Sequence, residues 1–121
     1  MRILIIDDEI DLCYVLQNIL VAKDHQVDFS LGLEDGWTKL NALKPHVLFL
    51  DFNLPQNPVI EGLITIKSTF PDLKIILTTP FESLLDKKNE LALLADEIIY
   101  KPFNSHVVID SLENLSNLNT A

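Results

Sequence analysis

The chain has one cysteine, one tryptophan, three glycines and half as many basic as acidic residues among its 121, and each shortage excludes something. With Cys13 alone no internal disulfide can form. A single thiol with no second cysteine or ligand-spaced histidine makes neither a zinc site nor a redox pair, so Cys13 reads as packing. His25, His46 and His106 stand far apart and share no ligand spacing, which leaves them as ordinary surface or edge histidines. Nine Lys and Arg against 18 Asp and Glu give a formal charge of -9, and the basic residues form no cluster. Phosphate backbones would be repelled, so direct nucleic-acid binding is not expected and the expected partners are proteins or cations. No apolar run approaches the roughly 20 residues of a membrane helix. No basic leader precedes the first strand, so we expect a soluble protein with a cytoplasmic home.

What is present is globular: 48% hydrophobic and 22% charged residues, in a length that suits one domain and one core. "RILII" at 2–6 is a short apolar strand, and Leu12, Val15, Leu16, Ile19 and Leu20 then recur with helical spacing. "QVDFS" at 26–30 is a second strand. Leu33, Trp37, Leu40 and Leu43 form a helical stripe that stops before Pro45. "HVLFL" at 46–50 is the third strand, a helix runs from about Ile60 to Phe70, and "LKIILTT" at 73–79 is the fourth. Leucine spacing predicts a helix over 83–95, "EIIY" at 97–100 is the last strand, and Asn104 or Ser105 can cap a final helix reaching Leu118. The order is (βα)5. Strands apolar on both faces and joined by helices predict an α/β fold with a doubly wound parallel five-stranded sheet.

In such sheets, sites gather at the carboxyl ends of the strands. There stand Asp7, Asp8 and Glu9 after the first strand, Asp51 after the third, Thr78 and Thr79 after the fourth, and Lys101 and Pro102 after the fifth. Each taken alone has an ordinary explanation: a helix cap, a turn, a β-branched strand residue, a solvated lysine. Together they converge on one edge, where clustered carboxylates would repel unless a cation sat among them. Asp7, Asp8 and Asp51 are hard oxygen ligands suited to Mg²⁺ rather than zinc. Phosphoryl transfer needs an in-line nucleophile with positive charge and donors around the transferring group. Asp51 supplies the first, and Mg²⁺, the Lys101 ammonium and the Thr78 hydroxyl supply the rest.

The motifs "IIDDE" at 5–9, "LDFNLP" at 50–55, "ILTT" at 76–79 and "YKPF" at 100–103 resemble, over the whole length and in order, a response-regulator receiver domain of two-component signalling. The resemblance implies a flavodoxin-like strand order 2-1-3-4-5. It further implies that Asp51 is the phosphoacceptor, Asp8 a direct Mg²⁺ ligand, Asp7 a ligand mostly through water, and the backbone carbonyl of Asn53 a further ligand. Thr78 becomes the switch hydroxyl and Lys101 the cation that pairs with the phosphoryl group, aimed by a cis Lys101-Pro102 peptide. The implied partners are a histidine kinase or a histidine phosphotransfer protein upstream, a protein target downstream, and a second copy of the chain as a phosphorylation-dependent homodimer.

Three positions depart from the receiver pattern. Gly62 stands eleven residues past Asp51, later than receivers place this glycine, which suggests an extended loop through Gln56, Asn57 and Pro58. Thr79, followed by Pro80, replaces the small residue usual after the switch threonine. Ile98 stands where many receivers carry an aromatic, with Tyr100 as the candidate substitute on the same strand face. We expect one domain over 1–121 with no output module, so that a partner carries the output. Two alternatives stand beside this reading: a degenerate receiver acting as a constitutive interaction module, and a haloacid-dehalogenase-type phosphohydrolase. The second needs an acid-base carboxylate two residues past the nucleophile, where this chain has Asn53.

Overall fold

A computed structural model of the chain describes residues 1–55, 59–80 and 94–120, the stretch 116–120 by its main chain alone. Five strands, β1 (Arg2–Ile6), β2 (Gln26–Ser30), β3 (Val47–Asp51), β4 (Lys74–Pro80) and β5 (Glu97–Lys101), alternate with helices α1 (Ile10–Val21), α2 (Leu33–Leu43), α3 (Val59–Thr69) and, after β5, α4 (Ser105–Thr120). All the strand pairings are parallel, and the order is β2-β1-β3-β4-β5, as expected. Most of the helix predicted over 83–95 and the loop residues Gln56, Asn57 and Pro58 fall outside the described residues. Leu94 and Ala95, at the end of the predicted helix, pack against the core.

The apolar runs are strands because both of their faces are covered. Ile3, Ile5, Val47, Phe49, Ile76 and Ile99 point to one face, where α1 and α4 contribute Cys13, Leu16, Leu20, Val108 and Leu112. Leu4, Ile6, Leu48, Leu50, Ile75 and Leu77 point to the other, against Leu33 and Leu40 of α2 and Leu63 and Ile66 of α3. Successive side chains of one strand thus feed two separate hydrophobic layers.

Strand limits differ slightly from the sequence reading. β3 and β4 each begin one residue later than expected and run one residue further, through Asp51 and Pro80, and β5 extends through Lys101. Apolar patterning locates a buried run, but the ladder is made by main-chain groups and continues into polar residues at the carboxyl edge. His46 stays outside β3, its Nδ1 accepting the Arg2 N–H at 2.9 Å. Lys44, with φ 47°, ends α2 in the left-handed conformation just before Pro45. Asn104 caps α4 through its Oδ1, which accepts the Val107 N–H at 3.1 Å.

Gly36 shows how closely α2 approaches the sheet. A Cβ built there would lie 2.5 Å from Ile6 Cδ1, inside a fully buried layer. Gly36→Ala should therefore destabilise the protein by about 1–2 kcal/mol, because overpacking outweighs the better helix propensity of alanine. Ile6→Val removes the clashing methyl. Urea unfolding of both single variants and the double should show the double less destabilised than the two effects combined; strict additivity would contradict this packing.

Candidate functional site

Asp51, the last residue of β3, lies opposite Thr78 in the ladder with β4, and only 2% of it is exposed. One of its oxygens, Oδ1, accepts the Asn53 N–H at 2.9 Å. Burial, reinforced by the charges of Asp7 and Asp8, raises its pKa to about 6, against the opposing pull of the Asn53 N–H and the Lys101 charge. Asp7, equally buried, follows β1. Its Oδ1 accepts the Glu9 N–H at 2.9 Å, and its main-chain oxygen accepts the Cys13 thiol at 3.4 Å. Burial first, and then the charge of Asp7, push that thiol up to about 12. Cys13 is therefore a neutral packing group rather than a nucleophile.

Lys101, at the end of β5, reaches across the sheet edge. Its Nζ donates to Asp7 Oδ2 at 3.0 Å and stands 3.6 Å from Asp51 Oδ1 and 3.7 Å from Glu9 Oε1. Burial alone would lower the pKa of the ammonium, but the Asp7 hydrogen bond and the charges of Asp7, Asp51 and Glu9 outweigh it and hold the value above the ordinary one. The Lys101-Pro102 peptide bond is cis.

Asp8 is exposed beside these buried groups, and Asp7, Asp8 and Asp51 each offer one oxygen within 4.8 Å of the others. Three carboxylates against one ammonium leave an uncompensated negative charge, and three hard oxygen donors in that space fit a divalent cation such as Mg²⁺. Asn53 lies in the exposed loop after Asp51, and its main chain is bound to that carboxylate. Thr78 is buried, and its main-chain oxygen accepts the Phe52 N–H at 2.9 Å, tying the loop to β4.

The structure thus brings Asp7, Asp8, Asp51, Asn53, Thr78 and Lys101 to one edge. Ile98 and Tyr100 stand apart from the carboxylates, half-buried against the layer that contains Leu77, and pair with Leu77 and Thr79 in the β4–β5 register. Two contacts went unread in the sequence. Glu9, visible in "IIDDE" but given no role of its own, belongs to the ion-pair group of Lys101. Thr79, noted only for its size, donates its hydroxyl to Asn53 Oδ1 at 2.7 Å.

The fold and the family are shared with known proteins. The family model of the response regulator receiver domain matches residues 3–113. The transcriptional regulatory protein DltR of Streptococcus agalactiae is 30% identical over 105 residues, which cover 87% of this chain and 47% of that protein. The chemotaxis protein CheY of Listeria monocytogenes is 27% identical over 115 residues, 93% of this chain and 96% of that one. The chain therefore spans about half the length of the first relative and nearly all of the second. A two-component response regulator from Clostridium difficile has the same fold, with a TM-score of 0.86 at 22% identity, covering 100% of this chain and 99% of that one. A sheet of this order, carrying this cluster at its carboxyl edge and matched by the family model over nearly its full length, belongs to the response-regulator receiver domains.

Proposed function

We propose that Asp51 accepts a phosphoryl group, with Mg²⁺ held by Asp7, Asp8, Asp51 and the main-chain carbonyl of Asn53. One observation carries this reading: a buried carboxylate at a strand end, 3.6 Å from a lysine ammonium and grouped with two further carboxylates. The bound Mg²⁺ would neutralise the carboxylates and the charge developing on the phosphoryl oxygens. Asp51 attacks as the ionised carboxylate, a form that the bound cation favours. Lys101 already leans toward Asp51 and can pair with a phosphoryl oxygen there without crossing the site. Thr78, across the ladder from Asp51, supplies a hydroxyl donor.

The phosphoryl donor is a histidine kinase or a histidine phosphotransfer protein, and the phosphorylated form is read by a protein target or by a second copy of the chain. Output runs through the face that carries Ile98 and Tyr100. Ile98 has no ring to swing and no polar tip, so the change passes through displacement of the end of β4. Tyr100 is an aromatic of β5 on that face. Self-catalysed gain and loss of the phosphoryl group makes the chain a signalling acceptor rather than a turnover enzyme. Among the described residues no helix is long and apolar enough to cross a membrane.

Incubated with acetyl phosphate and Mg²⁺, the wild-type chain should gain the mass of one phosphoryl group, and Asp51→Asn should gain none. A labelled Asp51→Asn variant, or an inert wild type, would remove Asp51 from its role. Intact-mass measurement decides.

Mg²⁺ should raise the thermal midpoint of the wild type, because a ligand that binds only the folded state stabilises it by mass action. In Asp8→Ala that shift should shrink or vanish. Equal shifts in the two proteins would place the cation elsewhere.

In metal-free buffer, Asp51 should make stability depend on pH. Its folded pKa, about 6, lies above the unfolded value of about 3.9. The protonated form is therefore favoured by folding. That contribution is complete below pH about 4 and is lost as pH rises through 6. Asp51→Asn cannot ionise, so its stability relative to wild type should grow between pH 4 and pH 7 by about 2 kcal/mol. Urea unfolding at the two pH values would show this, and a pH-independent difference would mean that Asp51 ionises in the fold as easily as in the unfolded chain.

A further inference from the structure

Thr79 is fully buried on β4, and its single hydroxyl proton has two acceptors in reach. Asn53 Oδ1 lies at 2.7 Å and the main-chain oxygen of Pro80 at 3.2 Å. The shorter contact spans 26 positions of sequence and joins a buried strand residue to an exposed loop residue beside the carboxylate cluster. Two main-chain bonds hold the same loop: the Phe52 N–H donates to Thr78 O at 2.9 Å, and the Asn53 N–H donates to Asp51 Oδ1 at 2.9 Å. Both act on N–H groups. The Thr79 hydroxyl adds a contact to the side chain of residue 53.

We propose that Thr79 is a positioning residue for the cation site: by holding the Asn53 carboxamide it fixes the loop main chain at Asn53 before the cation arrives. This inference rests on the reading of Asp7, Asp8, Asp51 and Asn53 as a Mg²⁺ site. The physical ground is preorganisation. A ligand group already immobilised costs less ordering on binding than one that must be fixed as the ion binds. A smaller residue at position 79, such as alanine, has no hydroxyl and could not hold the loop in this way. The size of Thr79 at the site's edge is then accompanied by a function in the loop.

The test is a double-mutant cycle read by calorimetric Mg²⁺ titration of the unphosphorylated protein. Thr79→Val keeps the shape and removes the hydroxyl, and it should weaken Mg²⁺ binding about fivefold, while Thr79→Ser should stay within about twofold of wild type. Asn53→Ala should weaken binding by a similar factor, and Thr79→Val combined with Asn53→Ala should bind no worse than Asn53→Ala alone. A residue that merely satisfies its own buried hydroxyl would shift the thermal midpoint without moving the Mg²⁺ affinity. Unchanged affinity in Thr79→Val, or independent effects in the cycle, overturns the proposal and leaves the metal reading standing. Wild type without Mg²⁺ binding, or Asp8→Ala binding equally well, overturns both. Should Thr79→Val fail to fold, Thr79→Ala compared with Thr79→Ser reads the same hydroxyl.

Discussion

Two buried carboxylates and an ammonium are brought together here by counting residues along β-strands. Ile3 and Ile5 face the layer under α1 and α4, and so do Val47 and Phe49, Ile76, and Ile99. With a side-chain period of two, the next positions on that face are Asp7, Asp51, Thr78 and Lys101. Each is the residue at which the apolar run ends, and all four are in phase. A one-residue slip in any strand would turn its group to the opposite face, so the apolar pattern below sets the geometry above. The 3.0 Å contact between Lys101 and Asp7 spans 94 positions of sequence and rests on that phase being kept across the sheet.

Electrostatics then gives the edge its character. Carboxylates buried to the extent of Asp7 and Asp51 lose most of their hydration. Lys101 returns part of that stabilisation but cannot neutralise three acids, and the remainder appears as the raised pKa of Asp51. The fold holds an acidic pocket that is incompletely compensated by the chain itself. A divalent cation would supply the missing positive charge, which is why the reading of the chain as a receiver and the electrostatics of its edge converge.

Much of this was legible in the sequence. The order of elements followed from the switch between continuous apolar runs and helical spacing, and the rule that sites gather at carboxyl ends picked out Asp7, Asp8, Asp51, Thr78 and Lys101. What could not be read was which face each strand residue takes. A strand apolar on both sides carries no alternation, so the common phase of Asp7, Asp51, Thr78 and Lys101 emerges only from the packed layers. Strand ends were misjudged by a residue for a related reason, since the hydrophobic pattern fades at Asp51 and Pro80 while the main-chain ladder does not. The hydroxyl contact from Thr79 to Asn53 was invisible because it joins distant positions and depends on side-chain torsions.

The same parity separates the two consecutive threonines. Thr78 stands in phase with Ile76, on the face of the carboxylates and the ammonium, while Thr79 stands in phase with Leu77 and lies opposite Tyr100 in the β4–β5 register. One peptide unit therefore joins the side of the sheet that carries the carboxylates and the ammonium to the side that carries Ile98 and Tyr100. The trans peptide between them is a rigid plane, so a displacement of the Thr78 carbonyl carries the Thr79 N–H with it. Thr79 is in turn bonded to the loop that follows Asp51. The loop after Asp51 and the face that carries Ile98 and Tyr100 are thus linked in the structure through residues 78 and 79.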